Sequence, residues 1–176
     1  MKFTRAVAVA AGALLLAATN PARAETKVEL KNTHLCCGQC VRVAGEILKG
    51  IDGVTGKCDQ KTKTITITAK DDATAQKAID ALAAAGFHGD TGSTTVTIKD
   101  DSGAKKEKVK TVTLTGFHNC CGACTTAIKN TVKKVEGVTG ENLKAKGDTF
   151  EVTGDFDAQA LVKALNDAGF HVKVKE

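Results

Sequence analysis

The sequence has no tryptophan and no tyrosine, and its single proline, Pro21, lies near the start. Six phenylalanines make up its whole aromatic content. So few aromatic faces leave little on which nucleobases could stack. No general acid–base pair, phosphate loop or nucleophile–histidine–carboxylate set occurs, so the usual enzyme motifs are missing and a non-enzymatic role is expected. Long apolar runs are also lacking. The run Ala6–Ala18 has 13 residues, whereas a permanent bilayer-spanning helix needs about 20.

That short run has a different meaning. Lys2 and Arg5 precede it, Asn20-Pro21 ends it, and Ala22-Arg23-Ala24 offers a small-x-small cleavage pattern. Residues 1–24 therefore read as a secretory signal peptide, which places the mature protein in the periplasm or outside the cell. No cysteine stands near the cleavage point to carry a lipid, and no membrane insertion is expected after cleavage. The formal charge falls from +5 to +2, because Lys2, Arg5 and Arg23 leave and no acid does. A nearly neutral chain gives no reason to expect nucleic acid or an anionic membrane surface as partner.

Cysteine and histidine are concentrated. Six of the seven cysteines and two of the four histidines fall in His34–Cys40 (HLCCGQC) and His118–Cys124 (HNCCGAC), 84 residues apart. Thiolate and imidazole are ligands for zinc, copper and related soft metals, and close spacing lets them converge on an ion. An exported chain meets an oxidising compartment, yet an odd, clustered set of cysteines favours ligands over a disulfide framework. Two other readings of these windows exist: cysteines packed as small hydrophobes, and structural Cys37–Cys40 and Cys121–Cys124 disulfides. Cys58 has no echo, since Asn142 stands at its position, and it reads as a free packed thiol away from any site.

The windows belong to a longer duplication, Lys27–Ser93 and Thr111–Glu176. Val28-x-Leu30 answers Val112-x-Leu114, Gly53-Val54-Thr55-Gly56 answers Gly137-Val138-Thr139-Gly140, and Ala85-Gly86-Phe87-His88 answers Ala168-Gly169-Phe170-His171. In each copy an alternating strand precedes the cysteines. A helix follows, with Ala44, Leu48 and Ile51, or Ile128, Val132 and Val135, on one face. Strands ending in TITITA (64–69) and TFEVT (149–153) come next. A second helix opens at Asp71-Asp72 or Asp155–Asp157 and closes at Gly86 or Gly169. A last strand is expected at His171–Val174, and in the first copy at TTVTI (94–98). The order βαββαβ predicts an α+β protein of two tandem ferredoxin-like sandwiches. The expected domains are residues 25–98 and 111–176, joined by a charged, solvated linker over 99–110.

A βαββαβ unit with Cys-x-x-Cys after its first strand resembles the heavy-metal-associated domain family of small copper chaperones, periplasmic mercury-binding protein and metal-pumping ATPase domains. The family motif Gly-Met-Thr-Cys-x-x-Cys falls with its cysteines on Cys37 and Cys40, and on Cys121 and Cys124. Cys36 and Cys120 take the Thr position, Leu35 and Asn119 the Met position, and His34 and His118 the Gly position. Leu35 can fill the core as Met would; Asn119 cannot do so equally well. The resemblance implies metal binding, with a metal-transporting membrane protein as a partner. The added thiolate and imidazole shift the expected ion from Cu or Hg toward Zn or Cd, about one ion per repeat. In this fold the loop after the second helix lies beside the cysteine loop, which brings His88 and His171 into the candidate set. The expected ligands are therefore His34, Cys36, Cys37, Cys40 and His88, and His118, Cys120, Cys121, Cys124 and His171.

Two function classes follow. One is an exported carrier, buffer or sensor of soft metal ions. The other is a thiol–disulfide oxidoreductase using Cys37-Gly-Gln-Cys40 and Cys121-Gly-Ala-Cys124, since a helix N-terminus favours thiolate in either case. The thioredoxin family that such motifs resemble places a cis-proline beside its cysteines, and this sequence offers none outside the leading segment.

Overall fold

The computed structural model describes residues 24–175. The expected signal peptide lies, but for Ala24, outside the described residues. The first repeat comprises β1 (Thr26–Leu30), α1 (Gly38–Lys49), β2 (Val54–Asp59), β3 (Thr64–Ala69) and α2 (Asp72–Ala84). The second comprises β4 (Lys108–Thr115), α3 (Gly122–Val132), β5 (Val138–Glu141), β6 (Thr149–Asp157), α4 (Ala158–Asp167) and β7 (Lys173–Val174). The described residues are thus mixed α+β, with two antiparallel sheets and four helices. No helix among the described residues is long and apolar enough to cross a membrane.

Local pattern explains most of these elements. Ile65, Ile67 and Ala69 alternate along β3 and are buried, facing Val28 and Leu30 of β1. Cys40, Ala44 and Leu48, each four residues apart, form the buried stripe of α1, and Cys124, Ile128 and Val132 repeat it on α3. The side chains of Asp71 and Asp157 cap α2 and α4 by accepting from Thr74 N–H and Ala160 N–H. Gly86 and Gly169 follow those helices at φ +85° and +88°, the left-handed turn expected of a C-terminal glycine.

The sheets differ. The first has the order β1-β3-β2, the second β5-β6-β4-β7. The strand expected at TTVTI (94–98) does not form. Beside β1, an isolated Lys31–Asp90 bridge holds the place it would take. The following chain crosses α2, where Gln76 accepts from Thr97 N–H (3.0 Å) and donates to Thr97 O (2.8 Å). Val96, outside any strand, is buried all the same.

The linker region is mostly exposed to solvent yet is tied to the second repeat. Ser102 is buried, its carbonyl accepts from Val174 N–H (2.8 Å), and Glu107 O accepts from Ala158 N–H (3.1 Å). Residues 99–110 thus run along the second repeat, and β4 starts within them at Lys108.

The repeats dock through their glycine turns. Phe87 and Phe170 form an antiparallel bridge. Gly169 O accepts from His34 N–H (3.3 Å) and His88 N–H (3.0 Å); Gly86 O accepts from His118 N–H (3.4 Å) and His171 N–H (3.0 Å). The pattern is that of an approximate two-fold axis relating the copies. It requires glycine twice over. A Cβ on Gly86 would stand 2.0 Å from His118 N, and one on Gly169 2.3 Å from His34 N.

Candidate metal centre

The docking points the two cysteine loops at each other. Cys37 and Cys121 sit at the N-caps of α1 and α3 in extended conformation, and Cys40 and Cys124 lie in the first helical turns. The N–H groups at each helix start that have no backbone partner within the helix, together with the helix dipole, favour negative charge there. Leu35 is buried under its loop, as expected. Asn119 works differently: its amide donates to Lys144 O (3.3 Å) and Gly147 O (3.0 Å), and its oxygen accepts from Thr125 Oγ1 (2.8 Å). A polar clip to the β5–β6 loop replaces apolar packing.

Where duplication suggests one site per repeat, the six sulfurs instead form one group. Within the first repeat Cys36–Cys40 is 3.6 Å and Cys37–Cys40 is 3.7 Å. Within the second, Cys120–Cys124 is 3.8 Å and Cys121–Cys124 is 3.6 Å. Across the interface Cys36 lies 3.5 Å from both Cys121 and Cys124, and Cys37 3.7 Å from Cys121. Cys40 lies 3.5 Å from Cys120 and 3.8 Å from Cys124. None of these is a disulfide, and all seven thiols are free. Cys40 and Cys124 are fully buried.

The electrostatics follow from this crowding. Cys40 is held well below the usual thiol range, first by the hydrogen bond from Cys124, then by those from His118, Cys120 and Cys36, against its burial. The same Cys40 contact raises Cys124 far above that range, with burial adding to it. Burial first, then the hydrogen bond with Cys40, pushes Cys120 up to about 12. Cys121 is lowered to about 6, first by the Cys124 backbone N–H and then, against slight burial, by hydrogen bonds from Cys36, Cys124 and Cys37. These contacts favour the thiolate at Cys40 and at Cys121.

Two of the four histidines join it. His118 groups with Cys40, Cys120 and Cys124, and His34 with Cys36 and Cys124, all donor atoms within 4.8 Å of one another in each set. His118 is 7% exposed, and the Nε2 atoms of both rings are buried without a hydrogen-bond partner. Phe170 stacks on His34 and Phe87 on His118, each at 4.2 Å, so each imidazole is held by the opposite repeat. The sequence marks Gly86 and Gly169 as helix caps within the Ala-Gly-Phe-His repeat but gives no sign that they dock the repeats or that Phe87 and Phe170 hold the histidines; their recurrence was the available signal.

His88 and His171 do not reach the sulfurs. Successive side chains in an extended segment point to opposite faces, so with Phe87 and Phe170 turned to the cysteine loops, the two histidines turn away. Their Nδ1 atoms meet at 3.2 Å, and His171 Nε2 bonds Asp101 at 2.7 Å. Cys58 stays on β2, paired with Ile65 and half-buried, apart from the group.

The donor set suits soft, thiophilic ions. Four thiolates about 2.3 Å from a zinc-like ion are separated by about 3.8 Å, close to the 3.5–3.8 Å observed between sulfurs. Fold and site together define a metal-binding class of protein, with its clustered cysteine sulfurs at the loop–helix ends of α+β sandwiches.

The family agrees. Residues 120–171, within the second repeat, match the heavy-metal-associated domain. Among solved structures, oxidized MerP from Ralstonia metallidurans CH34 is 36% identical, covering 38% of this chain and 97% of its own, with a TM-score of 0.36. The yeast copper transporter domain CCC2A, solved in apo and Cu(I)-loaded states, is 25% identical over 38% of this chain and 94% of its own, TM-score 0.34. The N-terminal soluble domains of Bacillus subtilis CopA are 18% identical over 87% of this chain and 95% of theirs, TM-score 0.33. No curated protein matches the chain.

Proposed function

We propose that the chain is an exported protein that carries or buffers a soft metal ion, zinc, cadmium or copper, outside the cytoplasm. The observation that carries this reading is the gathering of all six motif cysteines into one group at two helix N-termini. Thiolates so placed bind tightly at neutral pH, and a carrier at this location would deliver its ion to a metal-transporting membrane protein. Export rests on the pattern of residues 1–24.

The test is titration of the reduced protein with Zn(II) and with Cu(I) against a chelator of known affinity. Replacing Cys37, Cys40, Cys121 and Cys124 together by Ser is expected to abolish tight binding of both. Unchanged affinity in that variant would refute the reading. Export is checked separately, by cell fractionation and by finding Glu25 as the first residue of the isolated protein.

A further inference from the structure

Resting on the metal-binding reading, we infer that the two repeats hold one binuclear metal–thiolate cluster, in which Cys40 and Cys124 each bridge two divalent ions. Bound this way, the ions would lock the repeats together rather than occupy a separate site in each.

The argument starts from which sulfurs touch. Five of the nine contacts cross between repeats, so the nearest neighbours of most sulfurs lie in the other copy. Cys36 and Cys37 are adjacent in sequence, but the Cys37 backbone is extended and their side chains diverge; each meets Cys40 instead. Two ions kept in separate repeats would leave the thiolates of one site against those of the other, at like charge and 3.5 Å.

Sharing removes that conflict. Cys36, Cys40, Cys121 and Cys124 make five of the six edges of a tetrahedron, at 3.5–3.8 Å. The two-fold relation turns this set into Cys37, Cys40, Cys120 and Cys124, which makes four edges at 3.5–3.8 Å. The tetrahedra have one edge in common, Cys40–Cys124, where the two-fold axis passes. Those two cysteines are the fully buried ones, and each touches four other sulfurs. A bridging thiolate needs this central, solvent-free place; terminal thiolates can lie at the rim, where the other four are half-buried.

Charge points the same way. Six thiolates around one divalent ion would leave −4 in a closed space, and around two leave −2. The N-termini of α1 and α3 ease that remainder. His34 groups with Cys36 and Cys124, and His118 with Cys40, Cys120 and Cys124, so each imidazole stands within 4.8 Å of a bridging sulfur.

Cadmium is the probe, used on the reduced full-length chain. Cadmium-113 NMR is expected to show two bound ions in sulfur environments, coupled to each other through shared thiolates, and X-ray absorption to show metal–metal scattering below about 4 Å. In Cys40→Ser or Cys124→Ser both resonances shift or vanish together, whereas Cys58→Ser leaves both in place. Two uncoupled resonances without metal–metal scattering would overturn the shared cluster and leave the metal-binding reading standing. So would loss of one resonance in Cys40→Ser with the other unmoved. Absence of any bound cadmium would overturn both. The scattering measurement needs no variant, so misfolding of a serine variant does not remove the test.

Discussion

Replacing Gly86 by Ala tests whether the glycine turns hold the repeats face to face. Gly86 has φ +85°, and its new Cβ would stand 2.0 Å from His118 N and 2.3 Å from the Phe117 carbonyl carbon. Neither neighbour is the free end of a flexible side chain, so the turn and the opposing cysteine loop must move apart. The left-handed conformation costs an alanine about 1 kcal/mol, and each weakened interface hydrogen bond about 1 kcal/mol. The bonds affected are those that Gly86 O accepts from His118 and His171. The total, about 3 kcal/mol, lowers the melting temperature of a chain this size by about 6–12 °C. Differential scanning calorimetry on the reduced, metal-free protein reads it directly, and cadmium binding should weaken in parallel as the sulfurs separate. Gly45→Ala is the control: it lies within α1 with nothing within 4 Å of the added Cβ, so it should stabilise by about 0.5–1 kcal/mol. A Gly86→Ala protein that melts within about 2 °C of the parent would refute the docking argument.

Two further outcomes follow from the titrating groups. Cys121, lowered to about 6, should be the first cysteine alkylated by iodoacetamide at pH 7 in the metal-free protein, its rate falling below pH 6. Peptide mapping showing Cys40 or Cys124 modified first, despite their burial, would contradict this. His88 is lowered to about 4, first by burial and then by His171, with Asp167 and Asp100 opposing. With Asp101 accepting from His171 Nε2–H, His171 Nδ1 is free to accept from His88 Nδ1–H. The depressed value means this contact contributes stability above about pH 6.5, lost as pH falls toward 4; solvent contact limits the loss to about 1–2 kcal/mol at pH 5. Urea midpoints at pH 7.5 and 5 should show the drop, and His88→Gln should reduce it; equal losses in both proteins would sink the assignment.

Much of this protein could be read from order and spacing alone. The duplication, the α+β class, the helix caps at Asp71 and Asp157 and the glycine turns at Gly86 and Gly169 depend on periodicity and backbone preference, which act over a few residues. The clustering of the six motif cysteines was legible for a similar reason: rare residues repeated at one spacing stand out against any background. What adjacent residues do to one another, sequence can show. The missing strand at 94–98 was beyond it, because Gln76, some twenty residues earlier, competes for that backbone. So was the sorting of the histidines. His34, His88, His118 and His171 look equivalent in the repeat, yet the Phe87–Phe170 bridge turns two toward the sulfurs and two away. Above all, the meeting of Cys36 with Cys121 and Cys40 with Cys120 needed the docked structure. Residues some 80 positions apart leave no local mark of their contact, and an interface closed by carbonyls and glycine turns carries no motif of its own.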